Sequence, residues 1–166
     1  MAIYKYGLIS DTHGTLHMKI FDIFQGVETI FHAGDVVGNK VLDSLQGIAP
    51  VHAVAGNCDD ETLNLPEHLV VEMPFGAIGI AHGHLFSPNK ETRTRQLLEL
   101  FEKDMVQIIL TGHSHLQSLE FRKRTFIVNP GAACAPRFSV KPSVCVLSWD
   151  SEENSFGFNF CPFVWH

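Results

Sequence analysis

Seven side chains able to ligate a metal fall in a fixed order of short motifs. Asp11 and His13 lie in Asp11-Thr12-His13, Asp35 in Gly34-Asp35, and Asn57 in Gly56-Asn57-Cys58-Asp59. His82 follows in Ala81-His82-Gly83-His84, and His113 and His115 close the series in Gly112-His113-Ser114-His115. Imidazole suits borderline transition metals, whereas carboxylate and amide oxygens suit harder ones. This mixture points to Mn²⁺, Fe²⁺ or Fe³⁺, Co²⁺, Ni²⁺ or Zn²⁺, not to Ca²⁺ alone and not to an iron–sulfur cluster. The set is too large for one tetrahedral zinc. It suits two ions sharing one carboxylate, and two ions roughly 3.5–4 Å apart are a common device for hydrolysing phosphate esters.

Each residue type has a reason to be there. A carboxylate such as Asp35 has two oxygens and can bridge two cations, while Asn57 can ligate through its amide oxygen and donate from its NH₂ to a phosphate oxygen. Two divalent ions against the carboxylates of Asp11 and Asp35 leave a local positive well in an acidic chain, which favours an anionic substrate. Ions so placed would lower the pKa of a bridging water, supply hydroxide near neutral pH and polarise phosphoryl oxygens. Alternation along an extended segment puts Asp11 and His13 on one side, so both can reach one metal. His113 and His115 share that spacing but can diverge if the loop bends. Glycine before Asp35, Asn57 and His113 permits a sharp turn and leaves room for a phosphate oxygen.

Elements that would position these motifs can be read from apolar periodicity. Strands are expected over 4–9, 29–33 and 51–55, with helices over 18–24 and 39–47 between them. In the first helix Met18, Phe21 and Ile23 or Phe24 are expected inward; in the second, Val41, Leu42, Leu45 and Ile48, with Gly47 as terminator. This βαβαβ order implies parallel pairing, whose ligands bind beyond the carboxyl ends of the strands. The motifs of Asp11, Asp35 and Asn57 all fall at that edge. A hairpin over 69–73 and 77–81 follows, joined by Pro74-Phe75-Gly76. Then come a helix over 92–103 with Leu97, Leu98, Phe101 and Met105 on one face, a strand over 108–111, a hairpin over 118–122 and 125–129, and strands over 143–149 and 155–160. The early strands read as parallel and the late ones as antiparallel, which predicts two packed sheets with helices outside. The loop over 130–142, with Gly131, Pro136 and Arg137, is expected to face the site.

The length of 166 residues favours one domain over 1–166. No basic leader with a long apolar segment is seen, and no apolar run approaches the ~18–20 residues of a membrane span. Cys58, Cys134, Cys145 and Cys161 are scattered without a Cys-x-x-Cys pair, which fits reduced thiols and a cytoplasmic protein. A formal net charge of −6 argues against sequence-independent nucleic-acid binding. Arg122-Lys123-Arg124 reads as a solvated hairpin turn. His32 and His52 read as structural, and His17 and His68 as surface residues. Phe156, Phe158 and Phe160 alternate with smaller residues and are expected to face the core. The apolar tail Phe163, Val164 and Trp165 is expected to be covered by self-association, as a symmetric dimer, or else to fold back on its own domain.

Taken together, the motifs resemble those of the calcineurin-like metallophosphoesterases, in the same order from Ile9 to His115. The Gly-Asn-Cys-Asp form and the later Asn129-Pro130-Gly131 are similar to the small bacterial and archaeal phosphodiesterases of that superfamily. The resemblance implies a four-layer αββα sandwich of two mixed β-sheets flanked by helices. It also implies one ion on Asp11, His13 and His115, a second on Asn57, His82 and His113, and Asp35 between them, with Mn²⁺ the foremost metal. The expected activity is metal-dependent phosphodiester hydrolysis by a hydroxide held between the ions, on a small phosphate ester. Many members carry histidine after the motif asparagine, thought to protonate the leaving group; here Cys58 stands in that place, beside Asn57 as a substrate contact. A thiol is a poorer acid for an alkoxide than imidazolium, so esters with good leaving groups should suffer least. His84 can serve as acid or simply support His82, and Asp59 can orient a loop or a water. Two alternatives remain: a phosphomonoesterase or nucleotide pyrophosphatase of the same fold, and a protein-binding scaffold like the retromer subunit that shares the fold with an eroded site.

Overall fold

The computed structural model describes residues 2–134 and 140–165; Pro136 and Arg137, expected to face the site, lie outside them. The first half runs β1 (Ile3–Ile9), α1 (Met18–Ile23), β2 (Thr29–His32), α2 (Asn39–Gln46) and β3 (Val51–Ala53). The second runs β4 (His68–Met73), β5 (Gly76–Ala81), α3 (Lys90–Leu100), β6 (Ile108–Leu110), β7 (Ser118–Arg122), β8 (Thr125–Asn129), β9 (Ser143–Asp150) and β10 (Ser155–Pro162). They form two five-stranded sheets, ordered β10-β9-β1-β2-β3 and β4-β5-β6-β8-β7.

Strands β1, β2 and β3 are parallel, as expected. The second half is less antiparallel than its sequence suggests. β5, β6 and β8 are parallel to one another, and only the edge strands β4 and β7 run against them. Parallel neighbours need a crossover; α3 supplies one between β5 and β6, and β7 carries the chain back between β6 and β8. The β9–β10 hairpin then returns to the first sheet and pairs antiparallel with β1.

Alternation along each strand sorts side chains into three apolar layers. Tyr6, Leu8, Phe31, Ile78, Ile80, Ile108, Leu110, Val128 and Leu147 meet between the sheets. On the outer face of the first sheet, Ile9, Ile30 and Val144 pack against Ile20, Phe24, Val41 and Leu45 of the α1 and α2 region. On the outer face of the second, Ala77, Ile109 and Ile127 pack against Leu97 and Phe101 at the end of α3. The layer order is therefore α-β-β-α. Two glycines let the helices sit close. A Cβ on Gly7 would lie 3.1 Å from the Phe24 ring, and one on Gly79 would lie 2.8 Å from the Phe101 ring. Each phenylalanine is the C-cap of its helix, lying flat on a bare stretch of central strand.

Some inward faces differ from expectation. Ile20 and Phe24, not Met18, anchor α1; Met18 is 75% exposed, because the helix starts there and its first turn overhangs the sheet. Met105 is 79% exposed, because α3 ends at Leu100 and a short 3-10 turn leads to a left-handed Met105 that swings away. His17 is more than a surface residue. Its Nδ1 accepts from Lys19 N at 3.2 Å, and its ring stacks on Phe163 and lies tilted against Trp165. Phe163 is thereby buried beside α1, so the tail folds back on its own chain, and only Val164 stays largely exposed. His52 stacks on Phe31, His32 is fully buried and His68 is exposed. No helix among the described residues is long and apolar enough to cross a membrane.

Candidate metal centre

All five motifs leave the carboxyl ends of β1, β2, β3, β5 and β6 and gather at one end of the sandwich. Asp11, His13, Asp35, His113 and His115 all have left-handed φ, between 46° and 67°. Residues other than glycine visit this region seldom, and strain of this kind concentrates at functional sites. The ligands therefore converge through coiled backbone, and the extended alternation expected of Asp11 and His13 is not what joins them. Backbone hydrogen bonds pin the coil: Asp11 N donates to Gly34 O at 3.0 Å, His13 N to Asp35 O at 2.9 Å and Gly14 N to Val36 O at 2.8 Å. Gly34 does use positive φ, at 98°. Gly56 and Gly112 serve another purpose. A Cβ on Gly56 would collide with the Asp35 carboxylate, and one on Gly112 with the Ser10 hydroxyl and Asp11.

Six of the seven expected ligands stand in one continuous cluster. His13 Nε2 is 3.5 Å from His115 Nε2 and 3.7 Å from Asp35 Oδ2. His115 Nε2 is 3.2 Å from Asp11 Oδ1. His82 Nε2 faces Asn57 Oδ1 at 3.2 Å, Asp35 Oδ2 at 3.5 Å and Asp11 Oδ1 at 3.9 Å. His82 Nδ1 gives its proton to Ala33 O at 2.7 Å, which turns the Nε2 lone pair toward those oxygens. Asp11 Oδ1 is wholly buried and receives no well-formed hydrogen bond. A buried carboxylate oxygen without a donor is costly, and converging lone pairs repel. Cations between them remove both costs, so these residues fit the metals the motifs imply. Among the described residues three triads have ligand atoms mutually within 4.8 Å: Asp11, His13 and His115; Asp11, Asp35 and His82; and His13, Asp35 and Cys58.

His113 is the outlier. Its ring centroid is 5.2 Å from that of His82 and it joins none of those triads, although its backbone N donates to Asp11 Oδ2 at 3.1 Å. His113 and His115 thus diverge, toward His82 and Asp11 respectively. His84 packs beside His82 and His113, with centroids 5.4 and 6.3 Å away, and its buried Nδ1 has no hydrogen-bond partner among the described residues. Cys58 is exposed at the mouth, with its Sγ 3.4 Å from Asn57 Nδ2 and its backbone N donating to Asp35 Oδ1 at 2.8 Å.

Supporting residues that the motifs only partly signal hold the loops together. Both oxygens of Asp59 accept backbone N–H groups, from Val37 at 2.7 Å and Gly56 at 2.8 Å, so Asp59 orients loops. Gly34 N donates to His32 Nδ1 at 3.1 Å, leaving His32 Nε2–H for Thr12 Oγ1 at 3.0 Å, which in turn donates to Val36 O. Ser10 Oγ donates to Asp11 Oδ2 at 2.6 Å, and Thr111 Oγ1 to His82 O at 3.1 Å. Asn129 Nδ2 donates to Gly112 O at 2.8 Å and to Ser114 Oγ at 3.1 Å. Sequence carried a signal for Asn129, in Asn-Pro-Gly, and for Ser10, beside Asp11; none pointed to Thr111.

Burial opposes charge on Asp35, but the His82 imidazole and the Cys58 N–H outweigh it and hold the carboxyl well below its usual range. Burial likewise opposes ionisation of Asp11, and His115, His82 and Ser10 reverse it. Burial would lower His82; Asp35 and Asp11 raise it instead, so a proton is favoured where a cation would sit. His113 and His84 are both lowered, first by burial and then by His82. The two carboxylates and the lowered His113 and His84 are thus in the forms that ligation requires, whereas His82 would have to give up its proton to a cation.

The calcineurin-like phosphoesterase superfamily domain matches residues 4–152, and the chain belongs to that family. A probable metallophosphoesterase of Methanocaldococcus jannaschii is 37% identical over 148 residues, covering 86% of this chain and 74% of the relative. Phosphodiesterase YfcE of Escherichia coli K12 is 29% identical over 158 residues, covering 80% and 81%. Among solved structures, a predicted phosphoesterase of Streptococcus pneumoniae superposes with TM-score 0.76 at 25% identity, covering 98% and 91%. Vps29 of Entamoeba histolytica, solved with zinc, shares the fold with TM-score 0.73 at 22% identity, covering 96% and 99%.

Proposed function

We propose that this chain is a phosphodiesterase that works with two divalent transition-metal ions, Mn²⁺ foremost, with Ni²⁺, Co²⁺, Fe²⁺ and Zn²⁺ as competitors. Asp11, His13 and His115 would hold one ion, Asn57, His82 and His113 the other, and Asp35 both. The buried Asp11 Oδ1, which receives no well-formed hydrogen bond from the described residues, and the aligned His82 Nε2 support this assignment. Such ions lower the pKa of a water between them and withdraw charge from phosphoryl oxygens. The chain's own part is to fix the geometry. Asn57 presents its amide at the mouth, oxygen toward His82 and one N–H toward Cys58 Sγ, leaving the second N–H for a phosphoryl oxygen. Asp59 sets the spacing of the Asp35 and Asn57 loops.

One observation carries the choice of diester. The five motif loops, residues 10–17, 33–38, 54–60, 81–89 and 111–117, contain no lysine or arginine. A monoester dianion or a nucleotide polyphosphate brings more charge than a diester monoanion, and side-chain cations are the usual means of meeting it. Relatives named phosphodiesterase point the same way. Intact ligands favour an enzyme over a scaffold. Metal binding alone does not separate the two, since a Vps29 is described with zinc.

Turnover of bis-p-nitrophenyl phosphate and of p-nitrophenyl phosphate, compared in Mn²⁺, tests the reading. The diester should turn over faster. A faster monoester would make the chain a phosphatase, and no turnover of either with Mn²⁺, Ni²⁺ or Co²⁺ would favour the scaffold.

A further inference from the structure

The loops that lack cations carry something else. Val37, Leu85 and Leu116 are 40%, 60% and 55% exposed, and each lies within two residues of Asp35, His84 or His115. Val37 flanks the Asp11–His13 loop: a Cβ on Gly14 would meet its carbonyl oxygen at 2.9 Å and its side chain at 3.8 Å. Leu116 follows His115, on the Asp11 side of the centre. Leu85 follows His84, whose ring lies against His82 and His113 on the other side. Exposed apolar residues therefore adjoin, along the chain, residues of both halves of the centre.

Val37 supplies a second, independent sign. Its φ is +55°. A β-branched residue in the left-handed region is a true outlier, and glycine or asparagine would relax it. Its backbone N–H is held by Asp59, so the strained position is enforced. Part of the Val37 side chain covers Gly14, and the 40% that stays exposed lies open to a bound molecule.

We propose that Val37, Leu85 and Leu116 form an apolar rim that grips the alcohol groups of the substrate, so that the preferred ester is a monoanionic diester bearing an aryl or similarly apolar group. This rests on the phosphoesterase reading and narrows it. The metals take the phosphoryl charge, and the rim selects the alcohols.

Phosphinates test it without turnover, because they carry the same single charge and have no ester to break. Binding of diphenylphosphinate and dimethylphosphinate to the Mn²⁺-loaded protein is measured by titration calorimetry. The wild type should prefer the diphenyl compound by roughly tenfold, the scale of one partly buried apolar group. Val37→Thr, Leu85→Asn and Leu116→Asn combined should bring the ratio within about twofold. Val37→Gly alone should lower the ratio while leaving the thermal midpoint at or above wild type, which a purely structural residue would not do. If the triple variant fails to hold metal, the single Leu85→Asn and Leu116→Asn proteins should each lower the ratio. A wild-type ratio near one, or a ratio untouched in the variants while diester turnover persists, overturns the rim alone. No binding of either phosphinate together with no turnover of any ester overturns the phosphoesterase reading and the rim with it.

Discussion

Asp59 illustrates how much of this site is held by residues that ligate nothing. Its two oxygens tie Val37 N and Gly56 N, and thus set the distance between the Asp35 and Asn57 loops. An asparagine there has one acceptor and must release one of the two N–H groups, each lost partner costing about 1–3 kcal/mol if it stays buried. Asp59→Asn should therefore weaken the ion on Asn57 and His82 more than the ion on Asp11 and His13; metal analysis after graded chelation would show equal loss if Asp59 is a bystander. A related expectation concerns Cys58. Cys58→His should raise turnover of alkyl esters more than of nitrophenyl esters, because protonation matters when the leaving group is basic. Parallel gains on both would place position 58 away from the leaving group. At this scale the candidate ligands and their order were legible as motifs, because metal chemistry demands particular atoms. The left-handed backbone at Asp11, His13 and Asp35 was not, since strain of this kind is imposed by the hydrogen bonds between loops.

Elements were legible where periodicity is long and ambiguous where it is short. Val41, Leu42, Leu45 and Ile48 face the sheet as their spacing predicts. The six-residue α1 is too short to phase, and Ile20 takes the place expected of Met18. Strand direction in the second sheet was hidden as well, because an apolar strand reads alike in parallel and antiparallel pairs. Beneath the ends of α1 and α3 lies a strand glycine whose reason is found in the helix above it. Gly79→Ala would push a methyl group to 2.8 Å from the Phe101 ring, and overpacking of this kind costs typically about 1–3 kcal/mol. Urea unfolding should show that loss, and Phe101→Leu in the same chain should recover part of it. An unchanged midpoint in Gly79→Ala would mean that α3 does not rest on that strand.

Over the whole molecule, stability is tied to pH through a histidine buried behind the candidate centre. His32 is fully buried, and burial pushes its pKa down to about 4 despite nearby carboxylates. Between that value and the ordinary 6.5 the unfolded chain binds the extra proton, so stability rises with pH across this window and is lost as pH falls through it. For the metal-free protein the loss from His32 should be roughly 3 kcal/mol. His32→Asn, which keeps an acceptor for Gly34 N–H, should flatten the dependence; an equally steep acid transition in that variant would assign it to other groups.

The central claim is that one end of the sandwich is a two-metal hydrolytic centre. Stepwise return of Mn²⁺ to the stripped protein, with bis-p-nitrophenyl phosphate turnover followed against equivalents added, tests it most directly. Activity should rise and break at two equivalents per chain. A break at one equivalent, or full metal occupancy without turnover, would contradict it.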